Sequence, residues 1–573
     1  MHRLDCRILV AAALTLALAA CSDPASDPAD SESTANAATG EPAPGADAKP
    51  PVRPQLSVKP DRREAVAVPP GQAYQAQEIA RLRTTPAPDA LAGIRRPDRP
   101  VDRENYAHYD DNPVRRAAEH PVSTFSIDVD TGSYSNVRRM LRGGRLPPED
   151  AVRVEELINY FSYDYPVPPS ADVPFGVHVE QAATPWNPAT RLVQIGIQGF
   201  EPPAESIPAA NLVFLVDVSG SMSSADKLPL LKNALKMLTR QLDADDRIAM
   251  VVYAGATGVV LESTPGDRHA KIVAALDRLA AGGRTNGAAG IELAYAQAQQ
   301  GYIEGGINRV ILATDGDFNV GTVDFEQLKD LAERKRETGI AVTTLGFGTG
   351  NYNDRLMEQL ADAGNGNYAY IDTLSEARKV LVDQLTSTLL TIAGDVKIQV
   401  EFNPAVVAEY RLIGYVNRML EREDFNNDAV DAGDIGAGHT VTALYEVALV
   451  GSGGERIDPL RYGSDARAAT AGDRTRELGY LRLRYKKPGE ASSRLIERPI
   501  ADRADAEPQG RLAFAAAVAA FGLHLRGGKY LEGFDLDDIH ALASAARGDD
   551  PFGYRGEFLQ LVRLAEGFQV AKH

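Results

Sequence analysis

Residues 213–222 of this chain read Val-Phe-Leu-Val-Asp-Val-Ser-Gly-Ser-Met. The four apolar residues at the start of this stretch are typical of a buried strand in a parallel sheet. Asp217, Ser219 and Ser221 then follow at alternate positions, where such a strand ends. A carboxylate and two hydroxyls form an all-oxygen ligand set, which suits a hard divalent cation. Because open α/β sheets bind ligands at the carboxyl ends of their strands, the stretch predicts a metal-dependent recognition site.

The sequence around this stretch alternates between short apolar runs and amphipathic segments from Asn211 to about Leu389. We predict strands at Leu212–Val216, Ile248–Tyr253, Arg309–Ala313, Ala341–Phe347 and Tyr368–Ile371. We predict helices at Lys227–Leu242, His269–Leu279, Ala288–Gln300, Phe325–Thr338, Asn353–Ala363 and Leu374–Leu389. Strand–helix alternation of this kind is typical of the α/β class, here a doubly wound, mostly parallel sheet with helices on both faces.

Three segments should meet at the carboxyl edge of this sheet: residues 217–221, the glycine-rich residues 282–287 and residues 314–317. They supply, in order, an Asp-x-Ser-x-Ser motif, Thr285 and Asp315. In this order and context they resemble the metal-ion-dependent adhesion site of the von Willebrand factor type A domain, whose fold is Rossmann-like. Taken singly, each segment could instead be a helix cap or a tight turn. Their coincidence with predicted strand ends favours the metal site.

The resemblance implies a role for each of five residues. Ser219, Ser221 and Thr285 would bind the cation through their hydroxyls, and Asp217 and Asp315 would act through water or by holding the ligands in place. The cation would be Mg²⁺, or Mn²⁺ in its place. Because mostly neutral oxygens leave its charge undercompensated, the open coordination position would attract an Asp or Glu carboxylate of a protein partner.

The N-terminus has the pattern of a bacterial secretion signal. Arg3 and Arg7 lie beside an apolar stretch, Ile8–Ala20, that is too short to span a membrane as a helix. The stretch ends in Leu-Ala-Ala-Cys at Cys21, which resembles the lipobox of bacterial lipoproteins. We therefore expect cleavage before Cys21 and a lipid anchor on its thiol, in the cell envelope and, from the following Ser22, at the outer membrane. Surface and periplasmic faces both stay open. The alternative is an ordinary signal peptide with an incidental cysteine.

The rest of the chain divides by composition. After Cys21 the sequence is rich in Ala, Pro, Asp and Ser and poor in large apolar residues, so it cannot offset the entropy of ordering. Near the other end, alternating strands and then an apolar core helix at Leu512–Leu523 indicate a packed domain. We predict a lipoprotein signal peptide at 1–20, a disordered tether at 21–116, an accessory α+β region at 117–205, the type A domain at 206–389, and a β-rich and helical domain at 390–573.

Two regions outside the type A domain extend the resemblance. Residues 121–130 and 154–161 look like the N-terminal region of a group of bacterial von Willebrand type A lipoproteins. Residues 410–446 are similar to the uncharacterised C-terminal domain of the same group. The resemblance covers nearly all of the chain after the tether, and it supplies a fold and a site rather than a biochemical role.

Two further motifs have simpler interpretations. Asp128 and Asp130 follow an apolar strand and faintly resemble the nucleophile motif of haloacid-dehalogenase-type phosphatases, but the following threonine is misplaced. Asp424, Asn426 and Asp428 resemble the opening of a calcium loop, but the glycine and the closing acid of such a loop are missing. We interpret the first pair as a strand–helix turn and the second group as a polar turn.

The net charge of the chain excludes some classes of binding partner. The formal net charge of −18 argues against nucleic acid or an anionic membrane surface as the main partner. We expect a non-enzymatic, lipid-anchored envelope protein that binds a protein partner through its metal site. The alternatives are a periplasmic scaffold or assembly factor with a structural metal, a function carried by the C-terminal domain, and a phosphatase-like enzyme that uses Asp128 and Asp130.

Overall fold

The strand at the start of residues 213–222 lies in the middle of a mostly parallel sheet. The computed structural model describes residues 104–283, 287–316, 325–350, 352–458, 476–503 and 507–570. Its central sheet has six strands, which lie in the order Tyr368–Ile371, Ala341–Phe347, Ile307–Thr314, Ala210–Asp217, Arg247–Tyr253 and Thr257–Pro265. The first five are parallel and the last is antiparallel. The predicted parallel sheet is confirmed, and the antiparallel edge strand is an addition that the sequence pattern did not predict.

Helices cover both faces of this sheet. Successive residues of the strand Ala210–Asp217 point to opposite faces, so that Phe214 belongs to one apolar core and Leu215 to another. Both side chains are fully buried, and each contributes about 1.5–3 kcal/mol of hydrophobic stabilisation. The helices run Leu228–Thr239, His269–Arg278, Ala288–Gln300, Phe325–Arg336 and Asp354–Ala363, close to their predicted bounds. We refer to residues 210–389 as the central α/β domain.

The last helix of the central α/β domain differs from its prediction. Instead of one helix at Leu374–Leu389, the structure has a helix at Leu374–Arg378, a π-helical turn at Lys379–Asp383 and a helix at Leu385–Leu389. Lys379 in the wider turn is buried, and its Nζ donates to the Tyr160 carbonyl oxygen at 2.8 Å and lies 3.0 Å from the centre of the Tyr160 ring. The helix changes geometry where it meets the accessory region, and local periodicity does not encode such a tertiary contact.

The segments before and after the central α/β domain share two antiparallel sheets. In the first, the strands lie in the order Arg115–Arg116, Val407–Ile413, Thr440–Leu449, Asn187–Gly199 and Phe175–Thr184. In the second, the neighbours in order are Val122–Ser126, Thr391–Phe402, Glu477–Lys486 and Arg494–Ala501, and Ile435–Gly436 also pairs with the second of these. Side chains of both sheets form one apolar core, so the sheets pack as a β-sandwich. The central α/β domain is therefore inserted between two halves of this sandwich.

The last residues of the predicted tether belong to the folded body. Residues 104–116 pack on the folded body: the Glu104 carboxylate accepts two hydrogen bonds from Arg139, and Arg115–Arg116 pairs with the strand Val407–Ile413. A tether that extends to residue 116 is therefore too long. The composition argument failed here because this segment is held by ion pairs and backbone hydrogen bonds rather than by apolar burial. The signal peptide, Cys21 and the tether as far as residue 103 lie outside the described residues.

Three C-terminal helices pack on the helices of the accessory region. They run Gly510–Leu525, Leu536–Ala545 and Tyr554–Val570. They share one apolar core with the helices Gly132–Arg142 and Val154–Asn159. The run Leu512–Leu523 is buried along its whole length, which confirms the predicted core helix. Among the described residues, no helix is both long and apolar enough to cross a membrane.

Buried arginines join the central α/β domain to the accessory region. Arg138 pairs with Asp372 and Glu376, and Arg153 pairs with Asp354. Both arginines belong to the accessory region, and all three carboxylates belong to the central α/β domain. None of the five side chains is more than 5% exposed. Since a buried charge without its partner is strongly unfavourable, these pairs fix the two parts relative to each other.

Arg418 adds a contact from the segment after the central α/β domain. Its guanidinium lies 2.7 Å from Asp362 Oδ2 and 3.4–3.5 Å from carboxylate oxygens of Asp128, Asp130 and Glu358. Two of these carboxylates come from the accessory region and two from the central α/β domain. One guanidinium, on a side chain that is 12% exposed, therefore holds three parts of the chain together.

The two aspartates considered as phosphatase residues belong to this joint. Asp128 and Asp130 are 3% and 4% exposed, and Asp130 Oδ1 accepts the backbone N–H of Tyr368 at 2.8 Å. The Asp130 N–H donates to Asp128 Oδ1, which makes the tight turn predicted between the strand and the helix. Burial, together with the neighbouring Asp128 carboxylate, raises the pKa of Asp130 well above its ordinary value. The pair connects the accessory region to the central α/β domain.

Replacement of Arg418 tests this joint. Arg418→Met keeps an apolar stem but leaves the buried Asp128 and Asp130 short of positive charge, which should cost about 3–5 kcal/mol of stability. The measurement is the midpoint of chemical denaturation. As a control, Arg563→Met removes an exposed arginine that also contacts two carboxylates, and should leave the midpoint nearly unchanged. Equal midpoints for Arg418→Met and the wild type would contradict the role of the joint.

Candidate metal site

Asp217 lies at the carboxyl end of the central strand and is completely buried. Its Oδ1 accepts the Ser219 N–H at 2.8 Å. Its Oδ2 accepts the Thr314 hydroxyl at 2.9 Å and the Tyr253 hydroxyl at 3.2 Å. Thr314 and Tyr253 end the two neighbouring strands. The carboxylate is thus fixed by neutral donors at the edge of the sheet.

The electrostatic environment of Asp217 disfavours its charged form. The pKa of Asp217 is raised to about 6, chiefly by burial. The nearby Asp315 carboxylate also raises this pKa, and the hydrogen bonds from Ser219 lower it. Two acids therefore lie close together at one sheet edge, where water does not reach them. Such an arrangement favours positive charge at the same place.

The two serines of the motif come together beside Asp217. Ser219 Oγ and Ser221 Oγ are 2.9 Å apart. Ser219 is buried and Ser221 is exposed, because the chain turns outward into the short 3₁₀ helix Gly220–Ser223. The two hydroxyls that the sequence predicts as metal ligands are therefore in contact with each other, and the Ser221 side of the pair faces solvent.

The second predicted loop contacts the first directly. The Gly220 N–H donates to the Gly283 carbonyl oxygen at 3.1 Å, and the Gly282 N–H donates to the Val218 carbonyl oxygen at 2.7 Å. Thr285 itself lies outside the described residues. The role of Thr285 as the third hydroxyl ligand stays a prediction. The loop contacts support it, because Gly283, two residues before Thr285, already lies beside the serine motif.

Asp315 supplies the third loop. It follows the strand Ile307–Thr314, next to the central strand, and is completely buried. The next residue, Gly316, has φ +84°, and a Cβ there would clash with the backbone of Tyr352 and Asn353. Only glycine fits this turn without strain. The loop that carries Asp315 is thus seated against the start of the helix Asp354–Ala363.

A lysine that sequence reasoning did not single out completes the site. Lys227 Nζ donates to Asp315 Oδ2 at 2.8 Å, and the side chain is 8% exposed. In the sequence, Lys227 reads as the first residue of the helix that follows the motif. Helical periodicity does not show which polar residue at a helix start turns back toward the sheet edge, so the pattern held no signal for it.

The residues present fit a hard divalent cation. The donor set consists of oxygen alone, with two hydroxyls in contact and two carboxylates beside them. Within the described ranges, no group of three or more His, Cys, Asp or Glu side chains is arranged to hold a metal ion. A cation at this edge would contact the Ser219 and Ser221 hydroxyls, which belong to the ligand set that the resemblance implies.

The calcium-like motif is a polar turn, as predicted. Asp424 Oδ2 accepts the backbone N–H of Glu421 at 3.0 Å, which caps a short 3₁₀ helix. Asp428 Oδ2 accepts the backbone N–H of Ser493 at 3.2 Å. Both carboxylates bind backbone donors instead of converging on one point.

Three family descriptions match the chain. The von Willebrand factor type A domain matches residues 211–384, and the family described as von Willebrand factor matches residues 100–194. The family described as "Uncharacterized protein YfbK, C-terminal" matches residues 387–568. The "Uncharacterized protein YfbK" of Escherichia coli (strain K12) is 50% identical over 468 residues, which is 81% of this chain and 81% of that protein. The chain belongs to the YfbK family.

More distant similarities concern smaller parts of the chain or the fold alone. The "Uncharacterized protein sll0103" of Synechocystis sp. is 31% identical over 167 residues, 29% of this chain and 39% of that protein. The solved structure described as "von Willebrand factor type A from Catenulispora acidiphila" is 17% identical, with a TM-score of 0.37 over 68% of this chain and 89% of that one.

Membership of the YfbK family confirms the inferred resemblance to bacterial proteins with a von Willebrand type A domain and an uncharacterised C-terminal domain. The central α/β domain is a von Willebrand type A domain, a domain class that serves protein–protein interaction. Its sheet places the Asp-x-Ser-x-Ser motif and Asp315 at one edge, as the motif order predicted.

Proposed function

We propose that this YfbK-family protein binds a protein partner through a divalent cation, Mg²⁺ or Mn²⁺, held by Ser219, Ser221 and Thr285. The observation that carries the proposal is the 2.9 Å approach of the two serine hydroxyls beside the buried Asp217 and Asp315. Asp217 fixes the backbone of Ser219 and so orients its hydroxyl. A bound cation supplies an electropositive centre with an open coordination position for a partner's Asp or Glu carboxylate.

The exposure of the site residues supports access from one side only. Asp217, Ser219 and Asp315 are buried, whereas Ser221 faces solvent. A partner side chain can therefore approach along the Ser221 side, while the carboxylates behind it are shielded from water. This division suits a site that presents positive charge outward and keeps its negative charge inside.

We also propose that the protein is located in the cell envelope. Cys21, at the end of the lipobox-like stretch, would carry the lipid and anchor the protein at the outer membrane. Fractionation tests this part: Cys21→Ala should leave the membrane fraction and lose incorporation of labelled fatty acid. Equal labelling of the two proteins would contradict the anchor without touching the metal site.

Metal-dependent stabilisation tests the site itself. We expect saturating Mg²⁺ or Mn²⁺ to raise the melting temperature of the full chain, because a ligand at about 100 times its Kd adds about 2.7 kcal/mol to the stability of the folded state. Asp217→Ala should abolish the increase. Ser221→Ala should lose most of it, yet melt with the wild type in chelator, because Ser221 is exposed.

The matched control is Ser223→Ala, an exposed serine of the same short helix. It should keep the full metal-induced increase. A wild-type melting curve that does not respond to saturating Mg²⁺ or Mn²⁺ would refute the site.

A capture experiment tests the partner. Immobilised wild-type protein should retain an envelope protein in Mg²⁺ and release it in chelator, and immobilised Ser221→Ala should retain little of it. Mutation of single Asp or Glu residues in the captured protein should locate one carboxylate on which retention depends. Capture that ignores both the chelator and Ser221→Ala, in a protein that the metal does stabilise, would favour the alternative of a scaffold with a structural cation.

A further inference from the structure

Lys227 lies inside the candidate metal site as a built-in positive charge. Its ammonium is 2.8 Å from Asp315 Oδ2, and the Asp315 side chain is completely buried. The two carboxylates of the site are therefore treated differently. Asp217 is held by an amide and two hydroxyls, all of them neutral, whereas Asp315 is held by a cation.

The fold keeps Lys227 in this position. The lysine stem lies against Gly348, where an added Cβ would clash with its Cγ, Cδ and Cε atoms. Gly348 has φ +76° and follows the strand Ala341–Phe347, and its carbonyl oxygen accepts the Tyr370 hydroxyl. At the other end, the Lys227 N–H donates to the Ser224 carbonyl oxygen. The buried lysine stem is thus packed against the backbone at Gly348.

The charges of these side chains set the charge of a loaded site. Two carboxylates and one ammonium leave the described part of the site one unit negative. A divalent cation bound there would be left with about one unit of positive charge that these three side chains do not neutralise. Without the lysine, the two carboxylates alone would match the cation.

We infer that Lys227 is a specificity-determining residue: it weakens the intrinsic affinity of the site for the metal and reserves positive charge for an anionic partner group. The inference rests on the proposed function and deepens it, because it assigns to one residue the preference for a carboxylate ligand. A site without this lysine would bind the cation tightly and the carboxylate weakly.

The first arm of the test measures metal alone. Calorimetric titration of the full chain with Mn²⁺ should show that Lys227→Met binds Mn²⁺ at least about tenfold more tightly than the wild type, since removal of a nearby like charge favours the cation. Lys227→Arg keeps the charge and should stay within about threefold of the wild type. Lys227→Gln is the second neutral variant, and melting in chelator confirms that each variant is folded.

The second arm uses acetate as the carboxylate probe. Acetate binding to the Mn²⁺-loaded protein, followed by the relaxation of water protons around Mn²⁺, should weaken about tenfold in Lys227→Met and stay unchanged in Lys227→Arg. Opposite changes in the two affinities are the expected signature. A lysine with a merely structural role would shift the melting temperature in chelator and leave both affinities as they are.

The outcomes separate this inference from the proposed function. A wild type that binds Mn²⁺, with folded neutral variants of equal or weaker Mn²⁺ affinity, overturns the role of Lys227 alone. Tighter Mn²⁺ binding with unchanged acetate binding also overturns it, because the charge would then not be reserved for the anion. A wild type that binds no Mn²⁺ overturns the proposed function and this inference together.

Discussion

Two carboxylates buried side by side are the constraint around which the site is built. Asp217 ends the central strand, Asp315 directly follows the neighbouring strand, and both are closed off from water. Their charges must therefore be compensated within the protein or by a bound ion. The protein does so in part, with neutral donors for Asp217 and an ammonium for Asp315. What is left is a small negative excess beside two hydroxyls, which is the setting that a hard cation prefers.

The rest of the structure holds this edge in place. Gly316, directly after Asp315, rests on the backbone of Tyr352 and Asn353. The residue after Asn353 is Asp354, which begins the helix Asp354–Ala363 and is paired with Arg153 of the accessory region. The accessory region therefore contacts the same helix start that supports the loop of Asp315. The position of Asp315 depends on a joint between parts of the chain that are far apart in sequence.

The sequence predicts the central α/β domain well because its signals are local. Buried parallel strands are apolar runs, and the helices between them are amphipathic, so both periods can be read directly. The serine motif and Asp315 could be placed because parallel strands end at one edge. The sandwich could not be predicted, since Val122–Ser126 and Thr391–Phe402 pair across the whole inserted domain. The role of Lys227 could not be predicted for a similar reason, because its partner Asp315 is 88 residues away in the sequence.

The proposed function requires that the two serine hydroxyls help to hold one divalent cation. The most direct measurement is a crystal structure of the protein grown with Mn²⁺, with anomalous scattering recorded to locate the metal. We expect a single strong Mn²⁺ peak in contact with Ser219 Oγ and Ser221 Oγ, with Asp217 and Asp315 behind it. If Mn²⁺-saturated crystals gave no anomalous peak at these hydroxyls, or gave the peak elsewhere on the protein, the proposed cation site would be wrong.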